Sequence, residues 1–300
     1  MLRLGTRASP LAMAQAELVR SAYMERFPGR EVELVTLNSQ GDRESERPLD
    51  SFSGQGIFVK EIEGRLLKGE IDAAVHSAKD LAVDETEGLE VIAYLEREAP
   101  YDVVVRPRSR ELGRGVMPQA GERVATDSTR RRRQLQECWA GVEFVDIRGN
   151  IETRLKKLDD GEADAVVLAA AGLRRLGLQP EGEHPIAALE CVPAPGQGAI
   201  AVQTRFGDEI VSDLRWLNHF PTSLAVSCER DMASALGAGC SEPLGVLVEF
   251  RGGETLLMAA FHDGERLFRV EARSGAMDPQ AAVADAIGRL KTAGATWSHT

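Results

Sequence analysis

The fold is decided by the stretch Ile71-Asp72-Ala73-Ala74-Val75-His76-Ser77-Ala78-Lys79-Asp80. Residues 71–75 form a mostly apolar run that predicts a buried strand ending at His76. In open α/β sheets, ligands bind in the crevice beyond the carboxyl ends of the strands. A carboxylate beside an ammonium at that position, Asp80 beside Lys79, is a candidate for acid–base or charge-stabilising chemistry. The alternative is a capped strand end with a solvated ion pair.

Composition limits the class of protein. The chain has 300 residues, of which 43% are hydrophobic and 28% charged, and this length predicts two or three domains. A formal net charge of −11 argues against nucleic acid and anionic membranes as partners. The cysteines are widely spaced and form no ligand cluster, so we expect neither a disulfide framework nor a metal site.

Targeting signals are not evident in the sequence. No stretch approaches the ~18 apolar residues of a membrane span. Residues 1–5 predict a strand rather than the charged start and apolar core of a signal peptide. We therefore expect a cytoplasmic protein with reduced thiols.

Strand and helix patterns alternate in two similar halves, which predicts sheets covered by helices on both faces. In the first half, Ser9 is expected to cap a helix that Pro10 begins. The apolar face of this helix is expected to consist of Leu11, Ala14, Leu18 and Ala22. Residues 39–55 are polar and without periodicity, which indicates either disorder or a working lid.

The second alternation begins near residue 101. Strands are predicted at 123–125, 142–147 and 163–169, the last ending at residues 170–172. After Pro221 the pattern changes to a helix, three strands joined by short turns and a closing helix, which predicts a small α+β domain.

Arginines recur where a strand or loop meets the start of a helix: Arg7, Arg130, Arg131, Arg148 and Arg154. A helix N-terminus has free backbone N–H groups, and arginine adds a planar fork that matches carboxylate or phosphate. Placed at the strand ends of two facing lobes, these residues predict an anion-binding cleft. The alternatives are separate surface ion pairs, or a nucleic-acid patch at 130–133. The patch is disfavoured because aromatic residues and a basic overall charge are missing.

Two other residues have open interpretations. Cys240 lies between Gly239 and Ser241, and it is either a small buried hydrophobe or a reactive, covalently modified thiol. His76 is better explained as a satisfied histidine at a strand end than as a general base, because no nucleophile motif accompanies it.

Several motifs follow one another along the chain: Leu4-Gly5-Thr6-Arg7-Ala8-Ser9-Pro10-Leu11-Ala12, Gly56-Ile57-Phe58-Val59-Lys60-Glu61, Ala74-Val75-His76-Ser77-Ala78-Lys79-Asp80, Arg148-Gly149-Asn150 with Thr153-Arg154-Leu155, Ala171-Gly172-Leu173-Arg174-Arg175-Leu176-Gly177, Gly196-Gln197-Gly198-Ala199, and Gly239-Cys240 with Pro243-Leu244-Gly245. In this order they resemble the porphobilinogen deaminase (hydroxymethylbilane synthase) family. Together they cover nearly the whole chain.

The resemblance implies an α/β fold of two periplasmic-binding-protein-like lobes with mixed sheets and a small C-terminal α+β domain. The implied domains are 1–96 with 194–218, 100–190, and 220–300. The implied enzyme is a monomer that carries one dipyrromethane cofactor bound covalently as a thioether. It condenses four porphobilinogen molecules head to tail, releases ammonia at each step, and yields the linear tetrapyrrole hydroxymethylbilane. The competing hypothesis is a non-enzymatic, two-lobed anion-binding protein.

The resemblance also implies residue roles. Cys240 would anchor the cofactor and Asp80 would be the catalytic carboxylate. The acetate and propionate groups of cofactor and substrate would be bound by Arg7, Ser9, Lys79, Thr126, Ser128, Arg130, Arg131, Arg148 and Arg154. The chain departs from the family pattern at Gln55 and at Asp127, which replaces a frequent serine. We expect Asp127 to weaken the local anion site.

Overall fold

The computed structural model describes residues 1–37, 57–107, 116–237, 243–276 and 278–297. Within these ranges the chain forms two five-stranded mixed sheets and one three-stranded antiparallel sheet. The α/β class with two lobes and a small C-terminal α+β part is therefore confirmed. Cys240 and the expected lid at 39–55 lie outside the described residues.

The elements follow the chain in this order: β1 (Leu2–Arg7), α1 (Pro10–Arg26), β2 (Val32–Leu37), α2 (Ile57–Leu67), β3 (Ala73–Ser77), a 3₁₀ turn (Ala78–Asp80), β4 (Leu89–Tyr94), β5 (Asp102–Val105), β6 (Arg123–Ala125), α3 (Thr129–Cys138), β7 (Glu143–Val145), α4 (Ile151–Asp159), β8 (Ala165–Ala169), α5 (Ala170–Arg175), β9 (Glu183–Pro185), β10 (Ile200–Arg205), a 3₁₀ segment (Glu209–Leu217), α6 (Phe220–Ala235), β11 (Leu244–Arg251), β12 (Glu254–His262), β13 (Leu267–Gly275) and α7 (Pro279–Thr292).

The two lobes share one topology. The first sheet has the order β2-β1-β3-β10-β4 and the second has the order β7-β6-β8-β5-β9. In each sheet the first three strands are parallel and the fourth runs antiparallel to its neighbours. Because β10 returns to the first sheet, the chain passes between the lobes twice. We call residues 97–101 the first crossing segment and residues 191–198 the second crossing segment.

The sheets are buried on both faces, as expected where helices cover a mostly parallel sheet. In the second lobe, Val103 and Val105 of β5 pack in one core cluster with Leu158 of α4. Val104, which points to the opposite face, packs in another cluster with Leu135 of α3. Rigid central strands of this kind hold their carboxyl ends in fixed positions.

Helix α1 begins as predicted but buries a different face. The Oγ of Ser9 caps it by accepting a hydrogen bond from the N–H of Ala12 at 3.3 Å. The buried residues are Gln15, Ala16, Val19 and Tyr23, whereas Leu18 is 46% exposed, so the expected face is wrong. The cause is tertiary: the Gln15 amide turns inward to hydrogen-bond the Oγ of Ser77 at 2.8 Å.

Three further elements differ from the sequence expectation. Strand β3 continues through His76 and Ser77, because Ala201 and Ile200 of β10 pair with them. Helix α5, which starts directly after β8, and strand β9 have no counterpart among the predicted elements. The helices of the described ranges include none long and apolar enough to cross a membrane.

Candidate active site

The candidate catalytic pair lies on the turn that follows β3. Ala78 is buried, Lys79 is half-buried and Asp80 is exposed at the end of this turn. Since β3 is the middle strand of the first sheet, its carboxyl end brings the turn to the centre of the sheet edge where ligands bind. Asp80 is therefore accessible to a ligand at this edge.

His76, two residues before this turn, is not part of the accessible surface. Its imidazole is buried, and its Nε2 lies 3.1 Å from Oε1 of Gln203. Burial lowers the pKa of His76 to about 4, although the contact with Gln203 opposes this shift. The prediction of a satisfied histidine near a strand end is confirmed.

The second crossing segment packs directly against the turn. Gly196 has a φ of +71°, and a Cβ there would lie 3.0 Å from Cβ of Ala78 and 3.2 Å from the backbone nitrogen of Lys79. Gly198 has a φ of +87°, and a Cβ there would lie 2.3 Å from the carbonyl oxygen of Glu98. Only glycine fits both the left-handed backbone and the lack of space. The glycines at 196 and 198 thus allow the second crossing segment to pack against both the turn at 78–80 and the first crossing segment.

Arg130 and Arg131 occupy the first turn of α3 and are both buried. They share one buried carboxylate, that of Asp102. Nη2 of Arg130 lies 2.7 Å from Oδ2 of Asp102, and Nη2 of Arg131 lies 2.8 Å from Oδ1. Burial alone raises the pKa of Asp102, but the two guanidiniums more than offset this and hold that pKa well below its usual range.

Lys79 of the first lobe lies within electrostatic reach of this pair. Burial lowers the pKa of Lys79, the charges of Arg131 and Arg130 lower it further, and Asp80 and Asp102 oppose the shift. Lys79 makes no hydrogen bond to another described residue. The structure therefore gathers cations from both lobes next to the turn that carries Asp80.

Arg148 and Arg154 extend the cationic cluster along the second lobe. Asn150 caps α4 by accepting a hydrogen bond from the N–H of Thr153 at 2.8 Å. Arg154 is the next residue of this helix. Burial lowers the pKa of Arg154, and the charges of Arg131 and Arg148 lower it further. Arg148 is half-buried and has neither a hydrogen bond nor an ion pair with another described residue.

The four remaining predicted binding residues lie at equivalent places in the two lobes. Arg7 ends β1 and Ser9 caps α1, while Thr126 follows β6 and Ser128 caps α3. Thr126 is buried, and its carbonyl oxygen accepts hydrogen bonds from Nε and Nη2 of Arg132 at 2.9 and 2.7 Å. Ser9 and Ser128 fix the helix starts, and with them the positions of the first-turn N–H groups.

Comparison with known proteins decides the family. The family model described as "Porphobilinogen deaminase, dipyromethane cofactor binding domain" matches residues 2–213. Porphobilinogen deaminase from Pelobacter propionicus is 43% identical over 280 residues, which cover 92% of this chain and 89% of the relative. The enzyme of the same name from Acidithiobacillus ferrooxidans is 41% identical over 283 residues, covering 93% and 91%. The chain belongs to the porphobilinogen deaminase family.

Membership in the porphobilinogen deaminase family identifies an enzyme. It is a transferase of porphyrin and heme biosynthesis that forms hydroxymethylbilane, with dipyrromethane as cofactor. This finding favours the enzyme over a non-enzymatic anion-binding protein.

Among solved structures, a periplasmic substrate-binding protein of an ABC transporter from Coxiella burnetii has a TM-score of 0.44 and 15% identity, over 77% of this chain and 97% of that chain.

The described residues of this chain fit a group that carries several carboxylates. Nε of Arg131 is buried and has no hydrogen-bond partner. Arg148 and Lys79 also have cationic groups without a hydrogen bond to another described residue. Unused charged donors at a cleft are suited to carboxylates, which accept charge-assisted hydrogen bonds. The described His, Cys, Asp and Glu side chains include no group of three placed to hold a metal ion.

Two residues at the site are not singled out by the sequence analysis. Arg175 of α5 donates from Nη2 to the carbonyl oxygen of Gly198 at 2.6 Å, and burial lowers its pKa to about 10. A signal for Arg175 exists, because it lies in the motif at 171–177 and in the helix that follows β8. Asp102 gives no such signal, because it reads only as the first residue of an apolar strand.

Proposed function

We propose that Asp80 is the catalytic carboxylate and that the surrounding cations bind the acetate and propionate groups of cofactor and substrate. One observation carries the proposal. Lys79 of the first lobe lies within electrostatic reach of Arg130 and Arg131 of the second, beside the accessible carboxylate of Asp80. Such a site contains one carboxylate, which stabilises the positive charge that develops in the reaction. It also contains many cations, which bind the fixed carboxylates of cofactor and substrate.

The role of Asp80 follows from the chemistry of porphobilinogen. Loss of ammonia from its aminomethyl group leaves a cationic azafulvene, whose charge is delocalised to the pyrrole nitrogen. A fixed carboxylate that faces the pyrrole N–H stabilises this charge as it develops. The same contact orients the ring for attack by a pyrrole α-carbon, which is a positioning effect.

The surrounding cations bind the carboxylates of cofactor and substrate. Every pyrrole ring brings two carboxylates, so a growing chain requires a row of donors. We assign this role to Arg7, Arg130, Arg131, Arg148 and Arg154, assisted by Ser9, Lys79, Thr126 and Ser128. Arginine suits it because its planar fork pairs with a carboxylate through two parallel hydrogen bonds.

We assign Cys240 as the covalent anchor. When bound, dipyrromethane supplies the free pyrrole α-carbon that starts the chain. The properties of the other cysteines support the assignment. Cys191 and Cys228 are buried, and burial raises the pKa of their thiols to about 12 and about 11. Thiols that resist ionisation are poor nucleophiles. Cys138 is exposed, but its pKa is raised as well.

Intact mass measurement tests the anchor. The purified protein is expected to exceed its sequence mass by one dipyrromethane, to react with Ehrlich's reagent, and to titrate three thiols after unfolding. The Cys240→Ala variant is expected to lack the added mass and still to titrate three thiols. Added mass that persists in this variant would contradict the assignment of Cys240.

A wild-type protein without added mass would be incubated with porphobilinogen and weighed again. Assembly of the cofactor from the substrate would then appear as the missing mass, together with the loss of one titratable thiol. Four titratable thiols that persist after this incubation would contradict the covalent linkage.

The proposal also covers the domain limits, the oligomeric state and the cellular location of the protein. We assign domains to 1–96 with 194–218, 100–190, and 220–300, each of which contains one sheet. We also propose a cytoplasmic monomer that acts on porphobilinogen without nucleic acid or membrane partners. The free thiols of Cys138, Cys191 and Cys228 suit a reducing compartment, and the net charge of −11 suits a small-molecule enzyme. Light scattering of the purified protein tests the monomer.

A further inference from the structure

Asp102 connects three parts of the molecule through one buried carboxylate. Its Oδ1 accepts hydrogen bonds from Nη2 of Arg131 at 2.8 Å and from Nε2 of Gln197 at 2.9 Å. Its Oδ2 accepts from Nη2 of Arg130 at 2.7 Å and lies 3.4 Å from Sγ of Cys191. The residue has no exposed surface. Three elements therefore meet at this carboxylate: the start of β5, the first turn of helix α3 and the second crossing segment.

The first crossing segment is tied to the same point. Asp102 directly follows this segment in the chain. Nε2 of Gln197 donates to the carbonyl oxygen of Pro100 at 2.6 Å, and Nε of Arg97 donates to the carbonyl oxygen of Gln197 at 2.8 Å. Both passages of the chain between the lobes are thus bonded to each other around Asp102.

Helix geometry alone does not bring the two guanidiniums together. Arg130 and Arg131 are consecutive, and consecutive residues of an α-helix diverge by about 100° around its axis. Their like charges also repel each other. Because each guanidinium bonds one oxygen of Asp102, the carboxylate both cancels part of this repulsion and sets the distance between the two arginines.

Stability alone is a weak explanation for this arrangement. Taking ions out of water is costly, and well-packed apolar side chains often stabilise a protein as well as a buried ion pair does. What apolar side chains cannot do is hold two cations side by side at a cleft. The geometry therefore points to a role in ligand binding.

We propose that Asp102 is a positioning residue, which fixes Arg130 and Arg131 to both crossing segments so that the pair keeps its place beside Lys79 and Asp80. This inference rests on the proposed binding of substrate carboxylates by these arginines. Asp102 itself does not touch the substrate; it acts through the guanidiniums.

Two variants of Asp102 and one control test the proposal. Asp102→Glu keeps the charge and moves the carboxylate by one methylene, while Asp102→Asn keeps the size and removes the charge. Glu122→Gln is the control, because Glu122 forms a buried ion pair with Arg106 at 2.6 Å in the same lobe. For each protein, the cofactor content is measured by intact mass, stability by urea unfolding, and kcat and KM with porphobilinogen.

We expect Asp102→Glu to fold and to carry cofactor, with kcat/KM reduced about 100-fold, mostly through KM, because displaced arginines no longer match the substrate. Glu122→Gln is expected to unfold at lower urea concentration and to keep both kinetic constants. Wild-type KM in Asp102→Glu would overturn the proposal, whether or not Asp102→Asn folds. Wild-type KM in Arg131→Leu would instead contradict the proposed binding of substrate carboxylates by these arginines.

Discussion

Nη2 of Arg154 lies 3.1 Å from the Oδ2 of Asp127, so an internal carboxylate already occupies one of the arginines assigned to substrate binding. Both side chains are about four-fifths buried, at 20% and 21% exposure. Nε of the same guanidinium donates to the carbonyl oxygen of Gly149 at 2.9 Å. The expectation that Asp127 weakens the local anion site is consistent with this contact, because a substrate carboxylate must compete with it.

Asp127→Ser is therefore expected to improve substrate binding. Release of Arg154 from a pair worth about 1 kcal/mol corresponds to a decrease of about fivefold in the KM for porphobilinogen. Steady-state kinetics measure this change. Asp146→Ser serves as the control, since Asp146 pairs with Arg132, to which no binding role is assigned. An unchanged or higher KM in Asp127→Ser would show that Asp127 does not compete with the substrate.

Asp80→Asn is expected to keep the fold and the cofactor and to lose most of its turnover. The amide retains the size of the side chain but not the negative charge that stabilises the azafulvene, and loss of such a group reduces kcat about 100-fold or more. Product formation in a single turnover measures the effect. Asp84→Asn, at an exposed carboxylate in the same loop, is expected to behave as the wild type. Near-normal turnover in Asp80→Asn would exclude Asp80 as the catalytic group.

Arg148→Leu is expected to block chain growth or cofactor assembly. Arg148 has no partner among the described residues, so its loss removes a substrate contact without breaking an internal ion pair. One charge-assisted hydrogen bond contributes about 1.5–3 kcal/mol, which corresponds to a loss of about 10- to 100-fold in kcat/KM. Native gels separate the enzyme complexes that carry added pyrroles.

Lys156→Leu is the matched control for Arg148, because Lys156 is an exposed cation of α4 that pairs with Asp160. It is expected to keep the wild-type pattern of complexes. The same pattern in Arg148→Leu would contradict the binding role of Arg148.

Local sequence patterns predict much of the fold because local physics decides those parts. Ser9 caps the helix that it is expected to begin, and most strands of both lobes follow the apolar runs. The buried face of α1 is not predictable in this way. Its choice depends on Gln15 meeting Ser77, which is 62 positions away in the chain.

The candidate site also contains both residues that local sequence patterns predict and residues that they do not. Lys79, Asp80 and the helix-start arginines are recognisable because charged residues follow apolar strands or precede helices. Asp102 and Gln197 have no such local signal, since the contact between them joins residues 95 positions apart. Residues that position others through long-range contacts become visible only when the fold is known.

The buried His76 predicts a specific dependence of stability on pH. In the folded protein its pKa is lowered to about 4, whereas in the unfolded chain it returns to the ordinary value of 6.5. Between these values the unfolded chain binds a proton that the folded protein does not, so acid favours unfolding. The contribution of the neutral His76 ring to the free energy of unfolding is complete above pH 6.5 and is lost as the pH falls towards 4.

At pH 5 this single residue is expected to cost about 2 kcal/mol relative to pH 7.5. Urea unfolding of the wild type and of His76→Gln at both pH values measures the contribution, because glutamine cannot titrate. The variant is expected to lose less stability than the wild type on acidification. Equal losses in the wild type and in His76→Gln would mean that His76 is protonated in the folded protein, and that its contact with Gln203 tolerates the charge.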